Sequence, residues 1–137
     1  MKLKIENLKV VHSAKLPYAD DGFYATETEK RSMNIITSKE AKKEQIHSLV
    51  KVHPETQKKG LFINPVYTSH IQGFNEEESF LLLSKLYEHM TQEKYIYRHK
   101  WKENMLLMWD NRTVMHMAEG GYDGYDRLLH RITIANS

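Results

Sequence analysis

The 137-residue sequence contains no cysteine, which excludes disulfides, thiolate metal sites and a cysteine nucleophile, and suits a cytoplasmic location. It has no apolar run long enough for a signal peptide or a membrane span. A surplus of one charge sign is also missing: 20 Lys and Arg stand against 18 Asp and Glu, with no basic block. That balance argues against a nucleic-acid partner and against a membrane surface. Internal repeats are absent as well.

What is present is an ordinary mixture for a soluble domain or a large piece of one, with eight Tyr, two Trp and four Phe to build a core. Leu3, Ile5, Leu8, Val10 and Val11 are apolar almost from the first residue, as in a chain that begins inside a larger fold. Residues 1–12 fit either a helix end or a strand. Residues 13–45 are polar and read as a loop or insertion followed by a short solvated helix near 38–45.

From residue 46 the pattern changes. Ile46 to Val52 and Leu61 to Asn64 read as strands around a turn at His53–Gly60, hence a hairpin. Asn75 is placed to cap a helix, with Glu78 three residues on as in a capping box and Glu76, Glu77 and Glu78 at the positive end of the helix dipole. Phe80, Leu83, Tyr87 and Met90 follow at helical spacing, widened by Leu82 and Leu86, so this helix is expected to pack on a core through about residue 90. Beyond it, segments 95–101, 105–109, 113–117 and 128–134 read as strands separated by turns. One helix leaning on antiparallel strands predicts a mainly β fold with flanking helices, a sandwich or barrel.

The segment from Trp109 to Arg131 is the best placed for chemistry. His116 follows a short turn, where its imidazole could face a pocket. Arg127 and Arg131 are four apart on the expected last strand, so both project to one face. Two inward guanidiniums need anions, and a guanidinium grips a carboxylate as a fork; a histidine beside them suits a metal with a dicarboxylate. Surface arginines and a packed histidine are the alternative that spacing leaves open.

Trp109-Asp110-Asn111-Arg112-Thr113-Val114-Met115-His116, followed after ten residues by Arg127-Leu128-Leu129-His130-Arg131, resembles the C-terminal signature of the TauD/TfdA (taurine dioxygenase) family. His53-Pro54-Glu55-Thr56 leading to Leu61-Phe62-Ile63-Asn64-Pro65 is similar to another block of these Fe(II)- and 2-oxoglutarate-dependent dioxygenases. The likeness runs continuously over about 46–135. It implies a double-stranded β-helix (a cupin-like jelly roll), partial here, with 1–137 as the C-terminal part of one dioxygenase domain. Within it, 1–45 would be a loop and helical insertion and 46–137 barrel strands with a supporting helix.

The resemblance further implies that His116 is an iron ligand and that Arg127 pairs with the distal carboxylate of 2-oxoglutarate. Arg131 would meet the acidic group of a small anionic substrate, taurine or a related sulfonate, and Trp109 would line the same cavity. Iron in this family is held by two histidines and a carboxylate. The cofactors implied are Fe(II) and 2-oxoglutarate, with O2 consumed and succinate and CO2 released.

The expected upstream His-x-Asp or His-x-Glu pair is missing. Of the eight histidines, only His53-Pro54-Glu55 has the spacing, and its proline and its place in the hairpin turn argue against it. The chain alone is therefore expected to be inactive. A missing N-terminal half or a homo-oligomer would be its partner. The competing reading is an inactive remnant that binds a small anion or a protein through an open sheet edge.

Overall fold

The computed structural model describes residues 5–27, 35–121, 124, 126 and 128–134. Strand β1 (Lys9–Ser13) is followed by two single-turn helices, α1 (Lys15–Tyr18) and α2 (Phe23–Thr26), and by a 3-10 turn at Lys39–Lys42. Then come β2 (Glu44–Ser48), β3 (Val50–Val52), β4 (Lys59–Leu61), β5 (Thr68–Ile71) and the long helix α3 (Glu76–Met90), with a last 3-10 turn at Glu93–Tyr95.

Two small antiparallel sheets result, one in the order β2-β1-β5 and one pairing β3 with β4. β1 is the centre of the first, with Val10 opposite His47 on one side and Ile71 on the other. A bulge between Val11 and His12 shifts its register to β5. Residues 1–45 are thus not all insertion: β1 lies inside them and supplies Val10, fully buried. The β5 strand, which has little alternation to betray it, completes the sheet.

The expected strand from Ile46 to Val52 is two strands meeting at Leu49. The Leu49 N–H donates to the Leu8 carbonyl and its own carbonyl accepts from the Phe62 N–H, at 2.8 and 2.7 Å. Its backbone therefore serves both sheets, and its side chain is 0% exposed. A hairpin of β3 and β4 does form, with Val50 opposite Leu61 and Val52 opposite Lys59, but its second strand takes Lys59 and Gly60 from the expected turn and stops at Leu61 instead of running to Asn64.

Helix α3 begins as its sequence dictates. Asn75 Oδ1 accepts from the Glu78 N–H and Glu78 Oε2 accepts from the Asn75 N–H, so free donors of the first turn are satisfied reciprocally. Its packed face follows the expected stripe except at its first residue. Phe80 is exposed, and Ser79 sits against the core with Leu82, Leu83, Leu86, Tyr87 and Met90. Ser79 is fixed there because its Oγ accepts the buried Ile71 N–H at 2.8 Å, joining the helix to the end of β5. Val10, Leu49, Ile63, Ile71, Leu83 and Leu86 make one core between sheets and helix.

Past Ile96 the expectation fails. None of the described residues from 96 to 134 is in a strand, so the strands expected at 95–101, 105–109, 113–117 and 128–134 do not form. Many of their apolar side chains are open to solvent, among them Leu106 at 84% and Ile132 at 89%. A strand is stabilised by hydrogen bonds and side-chain pairs across a ladder, and none of the described strands pairs with this segment. The jelly roll is present only in part.

Candidate functional site

The turn that carries the expected site is organised by Asp110. Its backbone carbonyl accepts from the Thr113 and Val114 N–H groups at 3.1 and 3.2 Å, closing one turn of chain. Its carboxylate accepts from the Arg112 N–H at 2.8 Å and from the Arg112 side chain, Nε to Oδ1 at 2.9 Å and Nη2 to Oδ2 at 2.6 Å. This is the forked geometry that suits guanidinium and carboxylate. Trp109 Nε1 donates to Asn111 Oδ1 at 2.8 Å, which sets the indole over the turn. The ring of His116 then lies 4.8 Å from that indole, tilted by 53°. Trp109 and His116, paired by the sequence argument, are brought together.

Two residues from the hairpin turn reach the same place. His53 Nε2 lies 2.9 Å from Asp110 Oδ2, and Glu55 Oε1 accepts from Arg112 Nη2 at 3.0 Å. The backbone N–H groups of Glu55 and Thr56 both point at His53 Nδ1, at 3.2 and 3.1 Å. That nitrogen must therefore be the acceptor, which leaves the proton on Nε2 to be donated to Asp110. Only 8% of the His53 side chain is exposed. With both ring nitrogens engaged, His53 serves the turn. Hydrogen bonds from Arg112, then from His53, hold the Asp110 carboxyl well below the usual carboxylate range, and Asp110 and Glu55 push the Arg112 guanidinium up. The sequence reading missed this cluster, although its signal was there: His and Glu in one block, Asp and Arg in the other.

Arg131 is exposed, and it lies near enough to Tyr67 for its charge to favour the phenolate. That influence is outweighed. Burial, then the Tyr18 hydroxyl, push the Tyr67 phenol up to about 12. Tyr67 stacks with Tyr18 at 6.4 Å, and Tyr18 meets Tyr24 at 5.3 Å. Arg127 lies outside the described residues. A shallow depression lined by Lys15, Leu16, Asp21, Gly22, Phe23 and Thr26 includes none of the expected site residues.

Among the described residues, no three His, Cys, Asp or Glu side chains come together to hold a metal ion. His116, exposed and single, does not by itself fit a site of two histidines and a carboxylate. No helix among the described residues is long and apolar enough to cross a membrane.

Comparison with known proteins places the chain. A 2,4-dichlorophenoxyacetate dioxygenase dependent on alpha-ketoglutarate, from Burkholderia sp. (strain RASC), is 47% identical over 68 residues, covering 50% of this chain and 23% of the relative. An alkylsulfatase from Acinetobacter baylyi is 33% identical over 136 residues, 98% of this chain and 42% of the relative. The crystal structure of AAD-2 in complex with Mn(II) and N-oxalylglycine superposes with a TM-score of 0.55 at 32% identity, over 74% of this chain and 36% of that one. The chain thus spans less than half the length of these relatives. The family described as taurine catabolism dioxygenase TauD, TfdA matches residues 2–133, and the chain belongs to that family of 2-oxoglutarate-dependent dioxygenases.

Proposed function

We propose that this chain is the C-terminal portion of an Fe(II)- and 2-oxoglutarate-dependent dioxygenase that hydroxylates a small anionic substrate. The observation that carries the reading is the built turn of residues 109–114, which sets His116 against Trp109. His116 supplies one imidazole toward iron. Arg127 pairs with the distal carboxylate of 2-oxoglutarate, and Arg131 with the acid of the substrate, because a guanidinium holds an oxyanion through two parallel N–H bonds. Trp109 walls the same space.

Taurine or a related sulfonate is the substrate to try first, on the family's description. The names of the relatives widen the class to an aryloxyacetate and an alkyl sulfate, each an acid of the kind Arg131 would take. One imidazole does not hold iron usefully, so the chain acts together with a segment bearing a His-x-Asp pair, and alone it is inactive.

The test is succinate formation with Fe(II), 2-oxoglutarate and each of the three acids. It is measured for the chain alone and for the chain joined to the N-terminal portion of the Acinetobacter relative. Succinate from the joined protein, lost in His116→Ala, is the expected result. No succinate from the joined protein with any of the acids would sink the reading.

A further inference from the structure

We propose that His53, Glu55, Asp110 and Arg112 form a clasp that positions His116, so that the hairpin turn sets the place of a site residue 63 positions further along the chain. The inference rests on reading His116 as a site residue, and its geometry stands independently of that reading.

Each link is specific. His53 is oriented by its own turn: Nδ1 is held by the Glu55 and Thr56 N–H groups, so Nε2 can aim only along one line, and Asp110 Oδ2 lies on it at 2.9 Å. Asp110 is the hub, taking His53 and Arg112 through its carboxylate and Thr113 and Val114 through its carbonyl. Arg112 spans back, holding Asp110 and Glu55 with one guanidinium. His53 and Asp110 are 57 residues apart in sequence, as are Glu55 and Arg112. Among the described residues, these are the side-chain hydrogen bonds that join the segment after residue 100 to the hairpin.

A general staple could have been made by packing alone. Here apolar side chains of the same segment, Leu106 and Met108 among them, stay exposed, and the contact is made through directed polar bonds converging on one carboxylate. Charge-assisted bonds of fixed geometry define a position more sharply than apolar contact does. The position defined is that of the turn, and the turn ends two residues before His116, whose ring rests on the turn's own Trp109. His53 and Asp110 are thus positioning residues, acting on His116 through the turn.

The experiment uses the full chain in a Trp101→Phe background, which leaves Trp109 as the single indole. Trp109 emission and the nuclear Overhauser contact between the Trp109 and His116 rings are recorded for His53→Ala, Asp110→Asn and Arg112→Lys. Amide spectra of β1 and α3 are followed alongside. The expected result is loss of the ring contact and a red-shifted emission in His53→Ala and Asp110→Asn, with β1 and α3 amides unchanged. Arg112→Lys, a change at the exposed rim that keeps charge but removes the fork, should weaken the ring contact without abolishing it. His53→Gln, which restores an N–H donor, should recover part of the signal lost in His53→Ala. An unchanged Trp109 signal in both His53→Ala and Asp110→Asn would overturn the proposal, as would loss of the ring contact only together with the β1 and α3 amide pattern. A protein that passes this test yet never forms succinate would defeat the dioxygenase reading and leave the clasp standing.

Discussion

The part of the chain up to Tyr95 and the part after it contain similar apolar runs, and only the first turns them into sheet. Val10, Leu49 and Ile71 find strand neighbours and a helix within 90 residues, and all are fully buried. Leu106, Met108, Leu128 and Ile132 lie in stretches of comparable character and remain exposed. Apolar pattern is a local property, whereas a β-ladder is a relation between two segments. The described part of the second region has no such neighbour. The two regions are joined by polar bonds between the turns at 53–56 and 109–112, where the candidate site lies.

The contrast can be broken most severely at Leu49. Leu49→Ala removes a side chain at the junction of both sheets and should cost about 2–5 kcal/mol of unfolding free energy, read from a urea transition. Ser79→Ala should cost about 1–3 kcal/mol in the same measurement, because the buried Ile71 N–H loses its acceptor; an unaltered midpoint would mean that water replaces the hydroxyl.

A pH effect should also reside in the first region. Burial, then the charges of His47 and Lys51, lower the His12 pKa, and His47 is lowered by burial and by Lys51. Both rings therefore favour the neutral form when folded. Their contribution is fully present above the unfolded value of about 6.5 and is lost as pH falls below it toward the lowered folded values. Urea midpoints should drop between pH 7.5 and 5.5, and His12→Gln should flatten that slope. The smallest effect is expected in the second region: Leu106→Ala should change the unfolding free energy by no more than about 0.5 kcal/mol. A large loss there would show that the exposed segment is packed in solution, and the comparison would need redrawing.

Sequence alone determined a good deal. The capped start of α3 follows from Asn75 and Glu78, since a cap is a contact between residues three apart. The existence of a hairpin around the turn after Val52, though not its strand bounds, and the family blocks at 53–65 and 109–131 were also legible, because turns and motifs are local. Tertiary structure decided the rest. It put β1 at the centre of a sheet, split one expected strand at Leu49, and turned Ser79 rather than Phe80 to the core. It also left the expected late strands unformed and assigned His53 to Asp110. Each of these outcomes depends on which distant group comes within hydrogen-bonding or packing distance, and no spacing along the chain encodes that.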